Sequence, residues 1–148
     1  MMGRVGRIGL FRWPRQRDRQ IVYDSLERVN AVHLIRKQIG ELSGGQQQRI
    51  FIARALAQEA ELLLMDEPLS GLDAPSRSAI FHILDALRAD SVTVMMATHD
   101  LDLAAERFDQ IMLLNRHIIA YGAPSTVLQT ANLLRAYGRH EHHSAVPG

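Results

Sequence analysis

The chain has 148 residues and 16.6 kDa, of which 47% are hydrophobic, 22% charged and 5% aromatic, with a formal charge of +1. That composition describes one globular domain or part of one and argues against disorder, because apolar content is high and net charge small. The absence of cysteine excludes disulfides, thiolate zinc sites, iron–sulfur clusters and a cysteine nucleophile, and no apolar run nears the roughly 18 residues of a membrane span. Met1 to Leu10 carries Arg4 and Arg7 without an apolar stretch behind them, unlike a secretory signal, so a cytoplasmic chain is expected.

Charge is unevenly placed. Residues 1–20 hold six arginines against Asp18 alone, a formal +5, and the other 128 residues carry −4. A basic start can serve nucleic acid or anionic lipid, but without aromatic interleaving beyond Phe11 and Trp13 a solvated or partner-docking arm is the reading preferred, and no nucleic acid is expected. The opening, punctuated by Gly3, Gly6, Gly9 and Pro14, reads as irregular. Val22, Leu26 and Val29 predict a helix from about Asp18 to Val32. Gly40 to Gly45 forms a break, and Gln46 to Gln58 reads as a largely buried helix.

Glu61 to Met65 is an apolar run ending in Asp66-Glu67-Pro68, the pattern of a strand buried on both faces of a parallel sheet. Pro75 stands where a first-turn proline opens a helix striped by Ile80, Ile83, Leu84 and Leu87. Val92 to Thr98 predicts a second buried strand and Leu101 to Phe108 a short helix. Ile111–Leu114 and Ile118–Tyr121 read as a hairpin turning on Asn115 and Arg116, with asparagine suited to positive φ. Ser125–Leu128 and Asn132–Tyr137 read as short helices, and the tail from Gly138 as frayed. Strands alternating with helices give an α/β domain with a mainly parallel sheet, preceded by a small helical lobe. The expected division is 1–41 for the lobe, 42–138 for the core and 139–148 for the tail.

Three segments carry candidate chemistry. In Leu42-Ser43-Gly44-Gly45-Gln46, Ser43 and Gln46 have the spacing of a reciprocal helix cap. The same arrangement, with two glycines at the positive end of a helix, can bind an anion. Asp66 and Glu67 end a strand where ligands bind in open α/β folds; Asp66 can hold Mg²⁺ and Glu67 orient a water, or both can sit solvated in a turn. His99 closes the second strand, either as a structural residue or within reach of the same phosphate; Asp73 is a helix cap or an interface contact. His140, His142 and His143 can ligate a transition metal, though nothing rigid surrounds them and a solvated terminus is the preferred reading.

The order Leu-Ser-Gly-Gly-Gln, a helix with Arg49 and Arg54, Leu-Leu-Leu-Met-Asp-Glu-Pro, Ser-Gly-Leu-Asp and Thr-His-Asp, from about Glu41 to Gly122, resembles the ATP-binding subunit of ABC transporters. The resemblance implies a partial P-loop NTPase-like fold, ATP and Mg²⁺ as cofactors, and attachment to a transmembrane permease at the cytoplasmic face of the membrane. It implies that Ser43, Gly44, Gly45 and Gln46 are the signature, Asp66 the Walker B carboxylate on the magnesium side, and Glu67 the catalytic base. Asp73 is then the D-loop residue and His99 the switch histidine. The segment from Met2-Gly3-Arg4 through Arg12-Trp13-Pro14 to Asp18-Arg19 resembles the manganese, zinc and iron-chelate importers.

The family's phosphate loop, G-x-x-x-x-G-K-[ST], is not among these residues: Lys37 is the sole lysine and has no glycine at the required spacing. The match is therefore to the C-terminal part of such a subunit. In the family two domains pair head-to-tail, each nucleotide lying between one phosphate loop and the other signature. The expectation is that the chain alone neither holds ATP tightly nor hydrolyses it, yet can donate its signature to a second ATPase subunit. Two other classes stand beside this: a non-catalytic or degenerate fragment, and a non-transport ABC protein acting on nucleic acid. A phosphate-loop strand would ordinarily lie near the Glu61–Asp66 strand, so an exposed apolar strand edge is also expected.

Overall fold

A computed structural model describes residues 15–138; the irregular opening and the histidine tail lie outside the described residues. The chain divides into two compact units after Ala97.

In the first unit, helix α1 (Gln16–Arg28) starts where the Arg15 amide donates to the Asp18 carboxylate at 2.9 Å. It ends four residues short of the expected Val32. Asn30 adopts φ 50° there, and the Asn30 and Ala31 amides bond back to Glu27 and Leu26, closing the helix with a left-handed residue. Two short 3₁₀ turns (Val32–Leu34 and Ile39–Glu41) lead to α2 (Gly44–Leu56), which begins two residues earlier than its apolar pattern indicated because Ser43 caps it. Strand β1 (Leu62–Asp66), helix α3 (Ala74–Ala89) and strand β2 (Thr93–Ala97) follow. Asp73 is the N-cap of α3, so Pro75 occupies the second helical position rather than the first. There its missing N–H still leaves no helical bond unmade.

Strands β1 and β2 are parallel and in register from Leu62 opposite Thr93 to Asp66 opposite Ala97. Helix α1 packs on α2, α2 on α3, and α3 on β2. Val29, Leu34, Ile52, Ile80 and Leu87 are the largest fully buried side chains of this unit. The expectation of strands buried on both faces is corrected. Leu63 is buried and Met65, Val94 and Met96 are half-buried, whereas Leu62, Leu64 and Met95 on the other face are 50%, 66% and 47% exposed. A parallel strand is buried twice only when helices cover both faces. Among the described residues of this unit, helices lie against one.

In the second unit, α4 (Leu101–Arg107) is capped by Asp100, whose carboxylate accepts from the Leu103 amide at 3.0 Å. Strands β3 (Ile111–Asn115) and β4 (His117–Gly122) form an antiparallel hairpin with an irregularity at Leu113/Leu114. Its turn differs from the one expected. Asn115 stays in the strand opposite His117 and donates its side-chain amide to the Ala136 carbonyl at 2.7 Å, leaving Arg116 to take the positive φ of 56°. Helices α5 (Pro124–Val127) and α6 (Thr130–Tyr137) close over the hairpin, with Leu113, Val127 and Ala136 buried among Ile111, Ile119, Ala120 and Leu133. Together the elements make an α/β chain with one parallel and one antiparallel pair of strands.

Candidate functional site

The Leu42–Gln46 junction folds as a reciprocal cap. The Gln46 amide donates to Ser43 Oγ at 3.4 Å, and the Ser43 amide donates to Gln46 Oε1 at 3.1 Å. Gln47 secures the turn from the other side, its Nε2 donating to the Ile39 and Leu42 carbonyls at 3.2 and 3.1 Å. The cap leaves Ser43 and Gly44 exposed at the tip of a 13-residue helix, the end where the backbone dipole favours an anion.

The two glycines serve different neighbours. Gly45 is buried, and a Cβ there would stand 2.8 Å from Ser76 Oγ and 2.9 Å from Ser76 Cβ, too close for any side chain. A Cβ on Gly44 would meet Leu72 Cδ2 at 3.1 Å. The helix tip is thus seated against the segment Leu72–Ser76, which includes Asp73. Sequence reasoning missed Leu72 and Ser76, since neither carries distinctive chemistry and their role comes from tertiary packing.

Asp73 accepts a hydrogen bond from the Ser76 amide at 3.1 Å, the geometry of a helix cap. Hydrogen bonds from the Ser76 hydroxyl and then from its amide hold the Asp73 carboxyl below its ordinary pKa. The turn before it uses Gly71 at φ 70°, and Arg77 Nε donates to the Leu72 carbonyl at 3.1 Å.

Asp66 ends β1 and Glu67 follows it, both exposed. Glu67 has φ 42°, a left-handed conformation costly for a side chain with a Cβ. Its amide donates to the Ala97 carbonyl at 3.0 Å, extending the parallel ladder one step past β1, and its carbonyl accepts from the Ser70 amide at 3.1 Å. Backbone bonds on both sides hold the residue in this conformation. The strained φ is a second feature that sequence reasoning did not find, because nothing in Met-Asp-Glu-Pro announces it.

His99 lies in the second unit, exposed, in the bend between Ala97 and the Asp100 cap. Among the described residues no three His, Asp or Glu side chains cluster to hold a metal by themselves. An exposed carboxylate such as Asp66 at a strand end fits the habit of Mg²⁺, which takes one or two protein carboxylates and completes its shell with water and phosphate oxygens. No helix of the described residues is long and apolar enough to cross a membrane.

The family model described as ABC transporter matches residues 5–70. The chain is 44% identical over 137 residues to the manganese transport system ATP-binding protein MntB of Halalkalibacterium halodurans, covering 93% of this chain and 55% of that protein. It is 41% identical over 138 residues to the zinc transport system ATP-binding protein TroB of Treponema pallidum, covering 93% of this chain and 52% of that protein. A solved structure of an ABC transporter in an inward-facing conformation superposes with a TM-score of 0.84 at 33% identity, over 93% of this chain and 55% of that one. The chain spans about half the length of the curated relatives it matches.

Proposed function

From the premise that this chain is a relative of the ATP-binding proteins of ABC transporters, sharing their fold, we propose that it works at the ATP site of a transporter taking up a metal ion or metal chelate. The observation that carries the proposal is the exposed Ser43–Gly44 helix tip, seated through its glycines on the Asp73 loop, in the unit whose parallel strand ends at Asp66 with Glu67 next to it. The names of the relatives, two manganese or zinc transport systems, support the choice of cargo.

Each residue has a physical task in this reading. Ser43, Gly44, Gly45 and Gln46 offer a hydroxyl and the positive end of α2 to the phosphates of a nucleotide held by a second ATPase subunit. Asp73 lies beside that tip on the surface facing the same subunit. Asp66 would hold Mg²⁺, which when bound offsets the negative charge of the phosphates. In a polypeptide that also carries a phosphate loop, Glu67 would orient and deprotonate the attacking water, and His99 keeps the role of switch histidine that its Thr-His-Asp motif implies. The helical segment before residue 42 would pass motion to a transmembrane permease, with the chain peripheral to the cytoplasmic face of the membrane.

Lys37, the sole lysine, is outside any phosphate-loop pattern. A polypeptide of these 148 residues therefore acts as donor of the signature rather than as a complete ATPase. The test is ATP turnover by the purified chain, alone and mixed with an intact ABC ATP-binding protein. The chain alone is expected to give no turnover above buffer. In the mixed dimer, Ser43→Arg is expected to lower the rate at least about tenfold, the effect of removing one well-placed anion donor or opposing it with bulk. Turnover by the chain alone, or a mixed dimer indifferent to Ser43→Arg, would overturn the proposal.

A further inference from the structure

Ser76 stands between two features that the proposed function uses separately. On one side its hydroxyl and Cβ fill the notch left by Gly45, where a Cβ would come within 2.8 and 2.9 Å of them. On the other, its amide donates to Asp73 at 3.1 Å. Ser76 belongs to the first turn of α3, a 16-residue helix anchored in the core by Ile80, Ile83, Leu84 and Leu87. Leu72 covers Gly44 from the same side, and Arg77 ties the Leu72 carbonyl to the helix at 3.1 Å. A well-anchored helix therefore grips both the signature tip and the loop that precedes it.

The geometry points to Ser76 as a positioning residue that locks the Ser43–Gln46 tip to the Asp73 loop, so that the two face a nucleotide as one rigid piece. This rests on the reading above that both segments face a nucleotide. The close fit leaves little freedom: a larger residue at position 45 or 76 collides, and a smaller one at 76 opens a gap that forfeits the contacts between the two segments. The Asp73 carboxyl is held below its ordinary pKa first by the Ser76 hydroxyl, in keeping with the amide bond that ties the same residue to the loop. If the capping box alone fixed the signature tip, Ser76 would be dispensable to it.

The experiment is backbone ¹⁵N relaxation on the full 148-residue chain without nucleotide. In the parent chain, order parameters near about 0.85 are expected at Gly44, Gly45, Leu72 and Asp73 alike. In Ser76→Gly they fall together, toward about 0.6, in both segments. The double variant Gly45→Ala/Ser76→Gly, which supplies the missing methyl from the opposite side, restores both in part, to about the level of Ser76→Ala, a rescue that a merely local effect on α3 would not give. Ser76→Ala keeps the Cβ and the helix propensity and is expected to lower both segments by a smaller amount, which secures the test should Ser76→Gly fail to fold. Independent responses of the two segments, or a double variant no more ordered than Ser76→Gly, would overturn the assignment. The readout needs no nucleotide. Coupled responses here, with a mixed dimer that ignores Ser43→Arg, would keep the coupling and sink the ATP reading instead.

Discussion

Asp73 keeps its negative charge at lower pH than an ordinary aspartate because the Ser76 hydroxyl and amide both stabilise the carboxylate. A carboxyl whose pKa is depressed on folding adds stability above its unfolded value, here near the ordinary 3.8, and loses it as pH falls through the folded value. Asp73→Asn removes that dependence while keeping an acceptor for the Ser76 amide. Urea midpoints of the parent chain and Asp73→Asn are therefore expected to differ at pH 6 and to converge toward pH 3. The gap is small, since solvent screens an exposed group, and a gap of constant size at both pH values would show that Asp73 contributes no charge-dependent capping. Glu67 presents the opposite case: a left-handed backbone at a side chain proposed above for chemistry, held there by the Ala97 carbonyl and the Ser70 amide. An outlier held in place by neighbouring bonds is where function is reasonably sought.

At the scale of elements, the helix ends explain where sequence patterns succeed. Helix α3 stops in a two-bond motif: Ser91 at φ 62° donates to Arg88 at 3.0 Å, and Val92 donates to Leu87 at 3.0 Å. Glycine is the residue suited to that left-handed position, as Asn30 is to the equivalent end of α1. Ser91→Gly is accordingly expected to raise stability by about 0.5–1 kcal/mol, read as a higher urea midpoint with an unchanged slope. A lower midpoint would mean that Ser91 earns its place through its side chain. The apolar stripe Ile80, Ile83, Leu84 and Leu87 was legible because a helix of period 3.6 must bury one face, and all four are buried. Ser43 and Gln46 were legible as a cap because their spacing allows one reciprocal pair of bonds. The hairpin turn was misread at Asn115 because its amide is bound by Ala136, 21 residues along, and no local pattern encodes that partner. The seating of Gly45 on Ser76 was hidden for the same reason: glycine signals freedom or close approach, but which chain approaches is settled by packing.

Across the whole molecule, the two strand pairs share one property. Each unit has a two-stranded sheet, and each leaves apolar side chains open: Leu62, Leu64 and Met95 in the first unit, Leu114, Ile118 and Tyr121 in the second. The apolar runs that made β1 and β2 recognisable assumed cover on both faces, so for that pair strand identity was read correctly and burial incorrectly. Exposed apolar side chains beside strand edges that are unpaired among the described residues favour association with another polypeptide. The 148-residue chain is therefore expected to show a mass that rises with concentration in sedimentation equilibrium. Leu64, at 66% exposed, is the most open of the first unit's three and the least involved in its own core. Leu64→Lys places a charge on that face and should shift the chain toward monomer, while altering its own stability by only about 0.5 kcal/mol, as for an ordinary surface change. Leu63→Lys, by contrast, puts the charge among buried side chains and should unfold the chain, so the pair separates surface from core one residue apart. A parent chain that stays monomeric at all concentrations would show that these side chains, though open to water, are too scattered to form a sticky face.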